Sequence, residues 1–135
     1  MAFVIFSNIQ TANAVYVDKK LEYDSMMSVM TNVLHDVERQ EGYIEGETPV
    51  VFLGTPGNFL SVLPYKEKVC NITGMGSNTP VTYSYGDLFL LMQRKINLQD
   101  AGELENLEIV QNMPSYPQNG SVTQVNGIVI VKFKK

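Results

Sequence analysis

The chain has 135 residues, 44% of them hydrophobic and 18% charged, with a net charge of −4. That length and balance describe one globular domain able to bury a proper core, and they exclude a disordered chain. The acidic balance argues against nucleic acid, because phosphate binding needs clustered Lys and Arg, and the one dense basic group is Lys132, Lys134 and Lys135 at the C-terminus.

In chain order, residues 1–41 contain neither Gly nor Pro, and Ile9, Tyr16, Tyr23, Met30 and Val37 recur every seven residues. With Met26, Met27, Val33 and Leu34 in neighbouring positions, this is helical periodicity. Ser7 and Gln10 have the spacing of a capping box, and Gly42 stands where a helix C-cap would. The expectation is one helix about 50 Å long at 1.5 Å per residue. The alternative is two helices broken near Val17–Lys20, where the apolar stripe thins. Residues 1–20 are expected to project, and residues 21–135 to form a single domain. "MAFVIF" is too short for a signal peptide or a membrane span.

"TPVVFLG" predicts a strand with Pro49 at its first residue, where a missing N–H is tolerated. Its unalternated apolar run suggests cover on both faces. A long irregular connection follows. "DLFLLMQRKIN" predicts a second helix capped by Asp87, with Leu88, Leu91, Met92 and Ile96 on one face. "LQDAGELENLEIVQN" predicts a third, acidic helix with Leu104, Leu107 and Val110 inward, ended by Pro114. "SVTQVNGIVIVKF" predicts a hairpin, because Asn126-Gly127 suits a type I′ turn, in which both central residues need positive φ. Val129 and Val131 would face one side, and Ile128, Ile130 and Lys132 the other. The sum is an α/β or α+β domain: a long N-terminal helix, a small mixed sheet of three to five strands with a C-terminal hairpin, and two further helices packed on it.

The chemistry-bearing motifs are sparse. Gly54 and Gly57 bracket a turn after the first strand, but Pro56 lies between them and no phosphate-loop lysine follows. A tight turn at a strand's carboxyl end is the simpler account. Such ends face clefts in open α/β sheets, which gives Asn58 a claim as a polar contact. "TPVTYSYGDLF" is the most polar-aromatic stretch. Thr82, Tyr83, Tyr85 and Asp87 there could hold a sugar by ring faces and hydrogen bonds. Alternatively Ser84 or Asp87 caps the helix and the tyrosines cover the sheet. Asp36, Glu38, Glu41, Glu45 and Glu47 have no metal-ligand spacing and read as a solvated surface. Cys70 and His35 are each the single residue of their type. They provide no disulfide and no zinc set, and no cofactor is implied. The residues alone describe a domain without a self-contained catalytic set.

Three stretches carry a resemblance: "EGYIEGETPVVFLGT", "DLFLLMQRKIN" and "MPSYPQNGSVTQVNGIVIVKF". They resemble the C-terminal, extracytoplasmic part of bacterial multi-pass membrane glucosyltransferases of the O-antigen type, which use a polyprenyl-phosphate sugar donor. "NAVYVDKKLEYDSMMSVMTNVLHDVE" is similar to the segment leading out of that family's last membrane helix, and "MAFVIF" would then be the stub of a span. The resemblance covers most of the chain. It implies a domain on the outer face of the membrane, inactive alone, whose partners are the membrane portion of the same polypeptide and an acceptor glycan. The catalytic carboxylates are expected in loops that this chain lacks. Asn58, Thr82, Tyr83, Tyr85 and Asp87 are the expected glycan-contact surface. A reading of another class is a free-standing interaction module whose projecting helix pairs with a partner helix or, as a homodimer, with itself.

Overall fold

The computed structural model describes residues 2–56 and 82–134. Its element order is α1 (Ala2–Glu38), β1 (Pro49–Leu53), α2 (Thr82–Leu91), β2 (Asn97–Leu98), a 3-10 turn (Gly102–Asn106), α3 (Glu108–Gln111), β3 (Val122–Val125) and β4 (Ile128–Lys132). The mixed α/β architecture is as expected. From Met30 onward the described residues belong to one compact unit, while α1 up to Val29 belongs to another.

Helix α1 is unbroken through Val17–Lys20, so the two-helix alternative falls. With no Gly or Pro before Gly42, nothing in the chain stops it earlier. Ser7 is not its cap. The helix is already formed at Ala2, and the Ser7 carbonyl accepts a bond from Thr11 Oγ1 at 3.0 Å. At the other end the last turn tightens, with Gln40 N–H donating to Val37 O. Gly42, at φ +77°, then forms the turn closed by Tyr43 N–H on Gln40 O. Met30, Val33, Leu34 and Val37, all 5% exposed or less, make the buried stripe of its last turns.

The four strands form one sheet in the order β2-β1-β4-β3. β1 is parallel to both neighbours, and β3–β4 is antiparallel. The hairpin is the one the dipeptide dictates, with Asn126 at φ 52° and Gly127 at φ 78°. In register, Val50 pairs with Val129 and Phe52 with Val131, whereas Val51 pairs with Ile130 and Leu53 with Lys132. Alternation therefore sends Val50, Phe52, Val129 and Val131 to one face, and Val51, Leu53, Ile130 and Lys132 to the other. The expected sidedness of β4 holds.

Both faces are covered, which explains the unalternated run of β1. On the first face Phe52 stacks on Tyr85 (4.7 Å between ring centroids), Phe89 (5.7 Å) and Phe133 (6.0 Å). On the second, Val51, Leu53 and Ile130 pack with Val125, Val110 and Met113, flanked by Ala101, Leu104 and Ile128.

Two helices differ from expectation. α2 begins at Thr82, so Asp87 lies inside it and caps nothing. Its inward residues are Tyr85, Leu88 and Phe89. Leu90 and Leu91 are 72% and 71% exposed, and Gln93 at φ 57° ends the element. Burial of an i, i+3, i+4 aromatic-aliphatic stripe outweighs the cost of Gly86 within the helix, about 1 kcal/mol relative to Ala. The expected third helix is split. Gly102 takes φ +49° and Leu107 is extended (φ −68°, ψ 129°), leaving a 3-10 turn and the single turn of α3. Leu104 and Val110 still point inward, while Leu107 is 36% exposed.

Candidate functional site: a crevice at the carboxyl ends of β1 and β4

Of the expected glycan-contact residues, the structure describes the side chains of Tyr85 and Asp87, and these two lie on different sides of α2. Asn58 lies outside the described residues. Thr82 and Tyr83 form the first turn of α2, and the structure describes only their backbone. Tyr85 is a core residue, 2% exposed, with its ring against Phe52. Asp87, two residues on and so on the opposite side of the helix, is exposed. The alternative in which the tyrosines cover the sheet is what Tyr85 does. Its hydroxyl is buried with no hydrogen-bond partner among the described residues, and burial pushes its pKa far above the ordinary tyrosine value.

The turn after β1 is built for packing. Gly54 has φ +76°, and a Cβ placed on it would stand 2.8 Å from Phe133 O. Beyond β4 the chain crosses this spot, with Phe133 N–H donating to Leu53 O at 2.7 Å. Glycine is therefore required by a close backbone approach, and no phosphate cradle is needed to explain it.

Topology opens a crevice beside that turn. β2 lies on one side of β1 and β4 on the other. α2, between β1 and β2 in sequence, covers the Phe52 face. The 3-10 turn and α3, between β2 and β3, cover the Val51 face. The two covering layers thus diverge at the β1–β4 boundary. In open α/β sheets, ligands bind outside the carboxyl ends of the strands at such a switch of direction. Here a crevice of ≈ 330 Å³ lies there, lined by Leu53 at the end of β1 and Gly54 just after it, Lys132 at the end of β4 and Phe133 just after it, Glu105 and Asn106 of the 3-10 turn, and Val110 and Gln111 of α3. Leu53 and Val110 give it an apolar floor.

Lys132 builds one wall. Its Nζ donates to the carbonyls of Val110 (3.0 Å), Gln111 (2.6 Å) and Met113 (2.8 Å), where α3 ends. All three ammonium donors are used on orphan carbonyls of a helix C-terminus, the end at which a cation is favoured. The other polar side chains that line it are those of Glu105, which is itself already engaged, Asn106 and Gln111. Between Asp100 and Gln111 the sequence has four carboxylates, Asp100, Glu103, Glu105 and Glu108, and no Lys or Arg. Of these four, Glu105 lines the crevice.

A second cleft, ≈ 240 Å³, lies between the end of α1 and the loop before β3, lined by Asp36, Arg39, Gln40, Gln118, Asn119 and Ser121 among others. It lacks an apolar floor. The remaining carboxylates of this region do structural work. Arg94 reaches Glu38 (3.5 Å) and Glu45 (3.9 Å), and Glu45 Oε1 accepts the Lys95 N–H. Burial, then the charges of Glu45 and Glu38, raises the Tyr43 pKa. No group of three or more potential metal ligands occurs among the described residues, and no helix among them is long and apolar enough to cross a membrane.

The crevice residues could not be picked from sequence, where Glu105, Asn106 and Gln111 look like the solvated side of an acidic helix. Their one signal is that the segment returns the chain across the sheet at the switch between β1 and β4. Comparison with known proteins adds nothing to the geometry: no family model, curated protein or solved structure matches the chain.

Proposed function

We propose that this chain is the C-terminal, extracytoplasmic domain of a bacterial O-antigen-type membrane glucosyltransferase. It is accessory to the transfer of glucose from a polyprenyl-phosphate donor to a surface polysaccharide, and it is inactive alone. The observation that supports this reading best is convergence. The three resembling stretches lie far apart in sequence, yet they supply β1, α2, β3 and β4 of one sheet unit. The crevice at the carboxyl ends of β1 and β4 replaces the tyrosine-rich stretch as the glycan-contact surface, because Tyr85 is committed to the core. The membrane portion of the same polypeptide holds the donor.

The test is genetic and chemical. Deleting the coding sequence from the bacterium that carries it removes glucosyl branches from its surface polysaccharide, seen by linkage analysis, and re-expression restores them. A polysaccharide with unchanged glucose content would overturn the reading.

A second reading, a helix-mediated interaction module, is favoured by one observation. Ile9, Tyr16, Val17, Leu21 and Tyr23 of α1 are 41% to 69% exposed. Apolar surface of this kind marks contact with another helix. In solution this reading expects an α1-dependent dimer.

A further inference from the structure

We infer that Asn119 is a modification site: in the folded chain its side-chain amide is lost and the residue becomes isoaspartate or aspartate, while the same dipeptide at Asn126 is protected by the hairpin. The site is independent of the function proposed above.

The chain has two Asn-Gly dipeptides, Asn119-Gly120 and Asn126-Gly127. The reaction they share is intramolecular. The glycine main-chain nitrogen loses its proton and bonds to the side-chain Cγ of the asparagine. The bond from Cγ to the side-chain nitrogen breaks, and ammonia leaves. Water then opens the cyclic imide at one of its two carbonyls. One opening gives aspartate, and the other gives isoaspartate, in which the main chain runs through Cβ and Cγ. Nothing is oxidised or reduced. Glycine favours the step because it has no Cβ to shield its nitrogen or restrict its rotation. The local chemistry is therefore the same at both sites, and the fold decides between them.

At Asn119 the fold leaves the step open. Asn119 and Gly120 are exposed. They are the central residues of a turn closed by Ser121 N–H on Gln118 O (3.1 Å), and Gly120 at φ +87° makes it type II. The attacking nitrogen, that of Gly120, donates no main-chain bond among the described residues. The loop is pinned to β4 on both sides of the turn. Tyr116 N–H donates to Lys132 O (2.8 Å), and Ser121 O accepts the Lys132 N–H (2.9 Å). Between those pins, bringing Cγ onto the nitrogen takes a rotation about the Asn119 Cα–C bond. The bonds that give way are the turn bond of Ser121 and the Thr123 hydroxyl on Gly120 O (3.1 Å).

At Asn126 the same rotation meets the sheet. Asn126 and Gly127 are exposed too, so exposure does not separate the sites. Their φ values of 52° and 78° define a type I′ turn. Its first central ψ, about +30°, sets the glycine nitrogen nearly anti to the asparagine Cβ. Turning that nitrogen toward the side chain undoes the Val125–Ile128 pair, next to which Val129 and Ile130 are fully buried. A loop opens locally at little cost, whereas a strand pair with buried residues opens only with the core around it.

The modification changes a named place. Asn119 lines the cleft that Asp36 and Arg39 also line. The product adds one carboxylate there to a chain of net charge −4. Isoaspartate also lengthens the main chain by one methylene, immediately before Ser121 and β3.

The experiment incubates the full 135-residue chain at mildly alkaline pH in water enriched in heavy oxygen, and follows label at each asparagine by peptide mass spectrometry. In the folded chain Asn119 is expected to take up label about tenfold faster than Asn126, the factor that a gap of about 1.4 kcal/mol in opening free energy gives. In concentrated urea the two rates are expected to converge. Asn119→Ser is expected to abolish the early acidic species on ion exchange, with the hairpin chemical shifts unchanged. Equal rates in the folded chain, or faster labelling at Asn126, would overturn the inference. So would an early acidic species that survives Asn119→Ser. Rates that stay apart in urea would trace the difference to neighbouring side chains, and protection by the hairpin would be refuted.

Discussion

At the scale of single residues, two positions carry opposite lessons about what a side chain is for. Gly54 is required by space and by backbone angle. With φ +76° and Phe133 O only 2.8 Å from a would-be Cβ, Gly54→Ala meets both a left-handed conformation and a main-chain wall. The expected loss is about 2–3 kcal/mol of unfolding free energy, from the strain such positions impose on other residues. Urea denaturation with an unchanged m-value checks it; a midpoint equal to the wild type's would mean that the Phe133 strand end moves freely. Tyr85 is the reverse case, a polar atom where none is used. Its hydroxyl is buried and has no partner among the described residues, so Tyr85→Phe should cost less than about 1 kcal/mol or stabilise, because an unmade buried hydrogen bond is itself unfavourable. The same burial raises the phenol's pKa in the fold above its unfolded value of about 10. The folded state thus holds its proton more tightly. The stabilising difference is fully present below pH 10 and is lost as pH rises from there toward the folded pKa. Alkaline unfolding followed by circular dichroism should therefore be shallower in Tyr85→Phe than in the wild type. A wild type and a Tyr85→Phe variant with superimposable alkaline transitions would deny Tyr85 that role.

At the scale of elements, legibility followed locality. The β3–β4 hairpin could be read residue by residue, because Asn126-Gly127 sets its turn and the alternation of Ile128–Lys132 sets its faces. β1 could be read too, since an apolar run of five residues without alternation has few other uses. α2 could not be placed correctly. Asp87 looks like a cap and Gly86 like a break, yet stacking of Tyr85 and Phe89 on Phe52, 33 and 37 residues earlier in the sequence and so hidden from local pattern, extends the helix back to Thr82. The acidic stretch failed for a related reason. Its apolar spacing fits a helix, but Gly102 and Leu107 leave helical geometry so that Leu104 and Val110 both reach the sheet. The crevice follows from that break and from strand order, neither of which is written in a local window. Lys132 shows how strongly the broken element depends on its neighbour. Removing three charge-assisted bonds in Lys132→Met should cost about 2–3 kcal/mol, since bonds to charged groups contribute about 1.5–3 kcal/mol. Faster hydrogen exchange confined to residues 110–113 is the expected companion. Lys134→Met, at the exposed chain end, should stay within about 0.5 kcal/mol of the wild type. Equal stabilities for the two variants would remove Lys132 from the wall of the crevice.

At the scale of the whole molecule, the seven-residue series of α1 changes character along one helix. Met30 and Val37 are fully buried, whereas Ile9, Tyr16 and Tyr23 are 53%, 69% and 46% exposed. The change falls where the compact unit begins, at Met30. A second apolar position per heptad, which a coiled-coil seam needs, is present as Met27 and Leu34 but becomes Lys20 and Asn13 toward the N-terminus. The exposed part is therefore a single apolar stripe and not a complete seam. Such a stripe is expected to self-associate weakly and reversibly, in a concentration-dependent way that sedimentation equilibrium can resolve. Tyr16→Glu, at the most exposed position of the stripe, should return the chain to monomer with the hairpin chemical shifts unchanged. A tight dimer that survives Tyr16→Glu would place the contact elsewhere, and the interaction-module reading would lose its observation. A dimer that is tight in the wild type and abolished by Tyr16→Glu would instead favour that reading over the accessory glucosyltransferase domain proposed above.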